Sequence, residues 1–167
     1  MVKLFVDMDG TIATWDTELA SSEILYQKGY FNTRPIMENM LEAVKLLSDE
    51  KEIELFILTS IFSDSVYTVE EKHEWLDTHL PHIPKENRIF AICGESKRKS
   101  VPFKVDKRCY LLDDYTKNLY DWSLEGKGIK VLNGINHTKG SWKGPVVEHS
   151  ENPLRIASRI KEILYKY

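Results

Sequence analysis

The chain has 167 residues, of which 42% are hydrophobic and 29% are charged, so its composition fits one globular domain and argues against a disordered protein. The formal net charge of −3 is nearly balanced, and no apolar run reaches the length of a signal peptide or a membrane span. We therefore expect a cytoplasmic protein without a membrane or nucleic-acid partner, which attracts any anionic ligand locally. Cys93 and Cys109 lie in apolar runs without metal-ligand spacing, so we expect two buried, reduced thiols.

Short and nearly continuous apolar runs recur along the chain and predict the buried strands of a parallel sheet. These runs are 2–6, 54–58, 88–92, 109–112 and 128–132. Helical spacing of apolar residues appears between them at 37–47 and 69–80, and most clearly at 153–164, where Asn152 is a candidate cap and Pro153 falls in the first turn. Strands that alternate with helices predict a three-layer, Rossmann-like α/β fold with right-handed crossovers.

Residues 14–35 interrupt this alternation between the first strand and the first crossover helix. The segment contains its own predicted helical stretch at 17–27. We expect a single domain over 1–167 that carries this segment as a small helical cap.

Polar residues follow several of the predicted strands, at the edge where an open parallel sheet binds its ligands. Asp7 and Asp9 follow the first strand, Thr59 and Ser60 the second, and Asp113 and Asp114 the fourth, while basic residues from Lys97 follow the third. Each group alone has an ordinary structural explanation as a turn, a helix cap or a solvated loop. Their convergence on one edge favours chemistry instead.

Several carboxylates that lie close together repel one another unless a cation holds them ionised. An all-oxygen ligand set from Asp7, Asp9, Asp113 and Asp114 favours Mg²⁺, which commonly binds a few carboxylates together with a substrate phosphate. The pattern therefore predicts a magnesium-dependent phosphatase acting on a small phosphate monoester.

Two aspartates separated by one residue suit the two halves of such a reaction. Asp7 can attack phosphorus to form an aspartyl phosphate, and Asp9 can protonate the leaving oxygen and later deprotonate the attacking water. Gly10 permits the tight turn between strand and site. Thr59, Ser60 and Lys97 can donate to the phosphoryl oxygens, where charge stabilisation contributes most.

These motifs resemble those of the haloacid dehalogenase superfamily of phosphatases. Its first motif is matched by Asp-Met-Asp-Gly-Thr from Asp7, its second by the run ending in Thr59, its third by Lys97, and its fourth by the run ending in Asp113 and Asp114. The resemblance implies a nucleophilic Asp7, an acid-base Asp9, and Mg²⁺ held by Asp7, the backbone carbonyl of Asp9 and a fourth-motif aspartate.

Over its whole length the chain is similar to the 5'(3')-deoxyribonucleotidases of cytosolic type C and their bacterial relatives. The short cap, the Asp113-Asp114 pair, the segment 128–134 and Gly-Ser-Trp at 140–142 carry this likeness. It implies a nucleotide substrate whose base meets aromatic residues of the cap and neighbouring loops. Such residues include Trp15, Tyr26, Tyr30 and Phe31.

Several alternatives stay open at this point. Lys99 and Lys104 rival Lys97 for the third motif, and Asp113, our first choice as metal ligand, has Asp114 as its alternate. The substrate could instead be a sugar phosphate or a phosphorylated nucleic-acid end, and a homo-oligomer is open. A phospho-receiver signalling domain is disfavoured, because its acidic pair precedes a solitary phosphorylated aspartate in mid-chain.

Overall fold

A computed structural model describes residues 1–136 and 141–166 of the chain. In this part of the chain six parallel strands form one sheet in the order β3-β2-β1-β4-β5-β6. The strands are β1 (Val2–Val6), β2 (Ile53–Ile61), β3 (Arg88–Ile92), β4 (Cys109–Asp113), β5 (Lys127–Leu132) and β6 (Val146–Glu148). From β1 the chain adds β2 and β3 on one side of the sheet and then β4, β5 and β6 on the other. This reversal of strand order between β1 and β4 places a ligand-binding crevice at their carboxyl ends.

Helices follow the strands and cover both faces of the sheet. They are α1 (Glu38–Ser48), α2 (Thr68–His79), α3 (Lys97–Ser100), α4 (Thr116–Trp122) and α5 (Pro153–Tyr165), with short 3-10 helices at Ser22–Tyr26 and Lys85–Asn87. Helix α5 begins as its sequence predicts, because the Asn152 side chain accepts a hydrogen bond from the Leu154 amide and Pro153 occupies the first turn.

Side chains of each central strand alternate between two apolar layers, since successive residues of a strand point to opposite faces. Leu4 and Val6 of β1 pack with α1, α2 and α5 on one face, whereas Phe5 packs with Trp122 of α4 on the other. Because both faces are covered, the runs read as continuously apolar. The predicted three-layer α/β fold is confirmed.

Strand β2 continues three residues beyond its predicted end at Leu58. Thr59, Ser60 and Ile61 pair with Phe90, Ala91 and Ile92 of β3, so the two hydroxyl residues lie within the strand and not after it. The apolar pattern of 54–58 could not predict this extension, because it depends on hydrogen bonds to a strand that is distant in sequence.

The segment 14–35 differs from its predicted helical form. Its helical part is reduced to the five-residue 3-10 helix Ser22–Tyr26, which buries none of its side chains and is capped by Ser21. A helix of this length needs a packed apolar face to persist in water. The two ends of the segment meet, since the Thr14 amide donates to the Pro35 carbonyl at 2.9 Å and Ala13 bridges to Ile36.

The prediction of two buried thiols is right for Cys109 and wrong for Cys93, which is exposed; both are free. Cys93 follows β3, the edge strand of the sheet, immediately before a turn at Gly94. Gly140, which belongs to the sequence similarity at 140–142, lies outside the described residues. None of the described helices combines the length and apolarity that a membrane crossing requires.

Candidate active site

The floor of the site is formed where the neighbouring strands β1 and β4 end. Their register pairs Val6 with Leu112, so the next residues, Asp7 and Asp113, lie side by side. The Lys97 ammonium, at the start of α3, lies 2.7 Å from Oδ1 of Asp7 and 2.8 Å from Oδ2 of Asp113. Lys97 therefore joins the two strand ends through a buried ion-pair network.

Asp113 is completely buried and its two oxygens are occupied by donors. Oδ1 accepts from the Tyr115 amide at 2.8 Å, and Oδ2 accepts from Lys97 and from the Asn118 side chain at 2.9 Å. This arrangement holds the carboxylate in place and directs it toward protein donors.

Asp114 is presented differently. Its Oδ2 accepts from the amides of Asn133, at 2.8 Å, and Asn136. The Asn133 amide also donates to the carbonyl of Gly10 at 2.7 Å. Gly10 has a φ of +78°, and a Cβ there would lie 2.4 Å from Oδ2 of Asp114. Glycine is therefore required at this position both for its backbone conformation and for the close approach of Asp114.

A buried lysine holds the backbone beneath Asp114. The ammonium of Lys130, in β5, donates to the Asp114 carbonyl at 2.5 Å and to the Thr116 hydroxyl at 2.8 Å. Burial lowers the pKa of Lys130, and the nearby Asp114 and Asp113 partly offset this.

The electrostatics of the cluster suit a bound cation. One carboxylate oxygen from each of Asp7, Asp113 and Asp114 lies within 4.8 Å of the other two. Burial raises the pKa of Asp7 well above its ordinary value, with Lys97 opposing and the other carboxylates adding to the rise. Burial and Asp113 raise the pKa of Asp114 to about 6. A divalent cation would favour the ionised forms of both groups.

Burial alone would lower the pKa of Lys97, but Asp113 and Asp7 raise it above its ordinary value. This lysine is thus charged at neutral pH. Its rivals from the sequence, Lys99 and Lys104, are exposed. The geometry places Lys97 alone of the three in the carboxylate cluster.

Asp9 contacts a second buried lysine, Lys72, which also contacts residues of β2. The Lys72 ammonium lies 2.5 Å from Oδ2 of Asp9, 2.8 Å from the Thr59 hydroxyl and 2.7 Å from the Ser60 carbonyl. Oδ1 of Asp9 is buried and has no hydrogen-bond partner among the described residues. One oxygen of Asp9 is therefore held by protein, and the other makes no hydrogen bond within the described residues.

The sequence interpretation missed Lys72. It lies on the buried face of α2 with Thr68, Trp75 and Leu76, which are four residues before and three and four residues after it. The sequence pattern that could have identified it is a lysine on the apolar face of a predicted helix, because a buried ammonium requires polar or charged partners. Which partners it meets depends on how α2 packs against the sheet.

A cavity of about 250 Å³ opens above these groups. Asp7, Asp9, Ser60, Lys97 and Asp114 line its polar part, and the aromatic rings of Trp15, Phe31 and Phe62 line its wall. Two of these rings come from the segment 14–35. Thr59 is fully buried, with its hydroxyl against Lys72, so it lies behind the lining.

The other aromatic residues of the segment serve packing. Tyr26 packs beside Phe62, with ring centroids 5.0 Å apart. The Tyr30 hydroxyl donates to Asp16 at 3.0 Å, and Arg34 forms an ion pair with the same carboxylate. The structure thus separates Trp15 and Phe31, which reach the cavity, from Tyr26 and Tyr30, which do not line it.

Comparison with known protein families shows that residues 18–144 match the model described as "5' nucleotidase, deoxy (Pyrimidine), cytosolic type C protein". The matched range includes Thr59, Lys72, Lys97 and the Asp113-Asp114 pair, while Asp7 and Asp9 precede it. A search of curated proteins found no match.

Two solved structures share the fold. The D,D-heptose 1,7-bisphosphate phosphatase from Burkholderia thailandensis is 14% identical with a TM-score of 0.64, and the alignment covers 99% of this chain and 100% of that one. The enzyme of the same description from B. bronchiseptica, complexed with magnesium and phosphate, is 13% identical with a TM-score of 0.65, and the alignment covers 98% and 99%.

Proposed function

The chain belongs to the cytosolic type C 5'-nucleotidase family and is a phosphoric monoester hydrolase of the haloacid dehalogenase type, and from this premise we propose that it dephosphorylates deoxynucleoside monophosphates through a phosphorylated Asp7. One observation carries the proposal: a buried carboxylate and lysine cluster forms the floor of a cavity whose wall is aromatic. The floor suits a phosphoryl group, and the wall suits a planar base.

Magnesium is the proposed cofactor, held by Asp7, the backbone carbonyl of Asp9 and Asp114. The sequence favoured Asp113 as the fourth-motif ligand, but its oxygens are taken by Lys97, Asn118 and the Tyr115 amide. Asp114 lines the cavity and has one oxygen committed to the asparagines. When bound, the cation would neutralise the clustered carboxylates and the phosphoryl oxygens. The choice of magnesium as the metal is supported by the B. bronchiseptica enzyme, which is complexed with magnesium.

Asp7 is proposed as the nucleophile because its carboxylate lies at the cavity floor, at the junction of β1 and β4. Lys97 holds Oδ1, which leaves Oδ2 as the attacking atom. Attack on phosphorus forms the acyl-phosphate bond between Oδ2 and phosphorus and breaks the bond between phosphorus and the leaving oxygen. Lys97 also contributes positive charge where the phosphoryl oxygens would lie.

Asp9 is proposed as the general acid and base. Its Oδ1 has no hydrogen-bond partner in the described part of the chain, so it can carry the proton given to the leaving alkoxide and can later accept one from the water that hydrolyses the intermediate. Lys72 holds the other oxygen and so fixes the carboxylate's orientation. Ser60 lines the cavity, so its hydroxyl is the one proposed to donate to a phosphoryl oxygen. Thr59 lies behind the lining and accepts a hydrogen bond from Lys72, so its proposed role is to position that lysine.

The proposed substrate is a deoxynucleoside monophosphate, because Trp15, Phe31 and Phe62 line the same cavity as the carboxylates and lysine of the proposed phosphoryl site. Stacking and burial of a base against them would favour nucleotides over sugar phosphates. We propose the same cytosolic compartment that the family's description names. We interpret 14–35 as the cap of a single domain, since its ends meet and it supplies two of the four aromatic residues that line the cavity.

Trapping of the intermediate tests the chemistry. Wild-type protein, Asp7→Asn and Asp9→Asn are mixed with an aryl phosphate and Mg²⁺, quenched in acid, and analysed for phosphate on Asp7 by peptide mass spectrometry. Asp7→Asn should form no phosphoprotein and have no activity. Asp9→Asn should lose about 10²- to 10⁴-fold on an alkyl ester and accumulate aspartyl phosphate with the aryl one.

Asp49→Asn is the matched control, since this aspartate is exposed beyond the end of α1, and it should behave as wild type. Retained activity in Asp7→Asn, or phosphate on Asp113 or Asp114, would contradict the assignment. A parallel rate comparison with deoxynucleoside monophosphates and sugar phosphates tests the substrate, and equal efficiency on both classes would reduce the proposal to a generic phosphatase.

A further inference from the structure

Next to Lys72 in α2, a buried carboxylate faces backbone amides of the segment 14–35. Glu71 is only 4% exposed. Its Oε1 accepts from the Gly29 amide at 2.5 Å and its Oε2 accepts from the Phe31 amide at 2.9 Å. One carboxylate that accepts hydrogen bonds from two amides two residues apart fixes the local course of the backbone, and charged acceptors form the stronger bonds.

The backbone held in this way carries an aromatic wall residue of the catalytic cavity. Phe31 is 3% exposed and its ring lines the cavity. The Lys72 ammonium lies 4.8 Å from the centroid of the same ring, a favourable cation-π distance. The position of Phe31 is therefore determined from the backbone by Glu71 and from the ring face by Lys72.

Consecutive residues of α2 thus reach the two parts of the site. Glu71 holds the cavity wall, and Lys72 holds Asp9 and Thr59 on the catalytic side. One turn further along, the Trp75 indole donates to the Arg34 carbonyl at 2.8 Å and anchors the end of the same segment. Helix α2 therefore positions the segment 14–35 relative to the proposed catalytic residue Asp9.

We propose that Glu71 is a positioning residue for leaving-group recognition, which acts by holding Phe31 against the substrate's base. The proposal rests on the nucleotide substrate of the preceding section. It assigns Glu71 to the binding of the leaving group and not to transfer of the phosphoryl group.

The kinetic test compares Glu71→Gln with Glu74→Gln, a control on the same helix whose exposed carboxylate contacts the Asn32 side chain. A glutamine at position 71 can accept a hydrogen bond from one of the two backbone N–H groups through its oxygen, whereas its NH2 group faces the other N–H and repels it. The KM for deoxyuridine monophosphate should rise about tenfold, the loss expected from one charge-assisted hydrogen bond. Acetyl phosphate has no base, so its kcat and KM should stay within about twofold. Equal losses on both substrates, or an unchanged nucleotide KM, would overturn the proposal.

A double-mutant cycle with Phe31→Ala tests the route of action. If Glu71 acts by placing Phe31, then Glu71→Gln should add little to the nucleotide KM once the ring is removed. Independent, multiplicative effects would contradict this route.

Amide hydrogen exchange gives a readout without substrate. The amides of Gly29 and Phe31 should exchange at least about tenfold faster in Glu71→Gln than in wild type or Glu74→Gln. Unchanged exchange would refute the positioning itself. Failure of the nucleotide assignment would appear separately, as a wild-type protein that cleaves acetyl phosphate but no nucleoside monophosphate while the exchange difference persists.

Discussion

Replacing Gly10 with alanine should displace Asp114 and impair catalysis more than stability alone explains. A Cβ at position 10 would lie 2.4 Å from Oδ2 and 2.7 Å from Cγ of Asp114. An ordinary contact begins near 3.4 Å, so the carboxylate must retreat by about 1 Å. This movement would weaken its 2.8 Å hydrogen bond to Asn133. Misplacement of a catalytic group by about 1 Å can cost about 10²-fold in rate, and we expect that loss in kcat.

The backbone contribution can be separated by a matched control. Gly10 has a φ of +78° and Gly94 has a φ of +89°, but a Cβ at position 94 would meet no atom of the described residues within 4 Å. Alanine at either position should lower the free energy of unfolding by about 1–2 kcal/mol through left-handed strain. Only Gly10→Ala should also move Asp114.

The assay is initial phosphatase rate over a Mg²⁺ titration, together with urea unfolding of both variants. Gly10→Ala should show the reduced kcat and need more Mg²⁺ for half-maximal rate, whereas Gly94→Ala should remain within about twofold of wild type. Equal rates in the two variants would refute the argument that close packing of Gly10 positions Asp114.

Three further predictions follow from the same site and its surroundings. Lys72→Met should lower kcat by about 10²- to 10³-fold, as expected for the loss of a preorganised donor, and rates close to wild type would exclude a role for Lys72 in holding Asp9. Excess chelator should abolish turnover, with Mg²⁺ restoring it and the larger Ca²⁺ doing so poorly, so full activity in chelator would exclude the metal. Burial, then Arg88 and Lys85, lower the pKa of His73 from 6.5; its folded-state pKa is depressed, so stability is lost as pH falls below about 6.5. In urea unfolding at about pH 7.5 and about pH 5, His73→Gln should lose less stability on acidification than wild type, and an equal loss would contradict this linkage.

Local chemistry explains why the sequence predicted the elements of the fold. Strands β1 and β3 fall at the predicted runs. In the central strand β1 the reason is that apolar residues packed on both faces leave a continuous pattern. Helix α5 also begins at its predicted cap, since a capping side chain and a first-turn proline act within a few residues. By contrast, the extension of β2 depends on pairing with β3, and the loss of the predicted helix at 17–27 depends on the absence of a buried face in Ser22–Tyr26.

The site divides in the same manner. Asp7 and Asp9 were identifiable because a strand end followed by Asp-x-Asp-Gly is a local pattern, and the gathering of Lys97 with Asp7 and Asp113 agrees with the rule for parallel-strand ends. Their catalytic roles remain predictions. The family and the class of enzyme, which the motifs indicated, are confirmed.

What the sequence by itself determined was the order of five strands and of the three longest helices, together with the carboxylates at strand ends, since both follow from spacing along the chain. The short elements β6, α3 and α4 were not predicted. Tertiary structure alone decided the partners. Asp113 faces Lys97 while Asp114 faces Gly10 and two asparagines, although the two aspartates are neighbours in sequence. Lys72 reaches Asp9 across a separation of 63 residues. Adjacent side chains leave a backbone in different directions, and contacts between distant elements depend on how helices pack on the sheet, which no local pattern encodes.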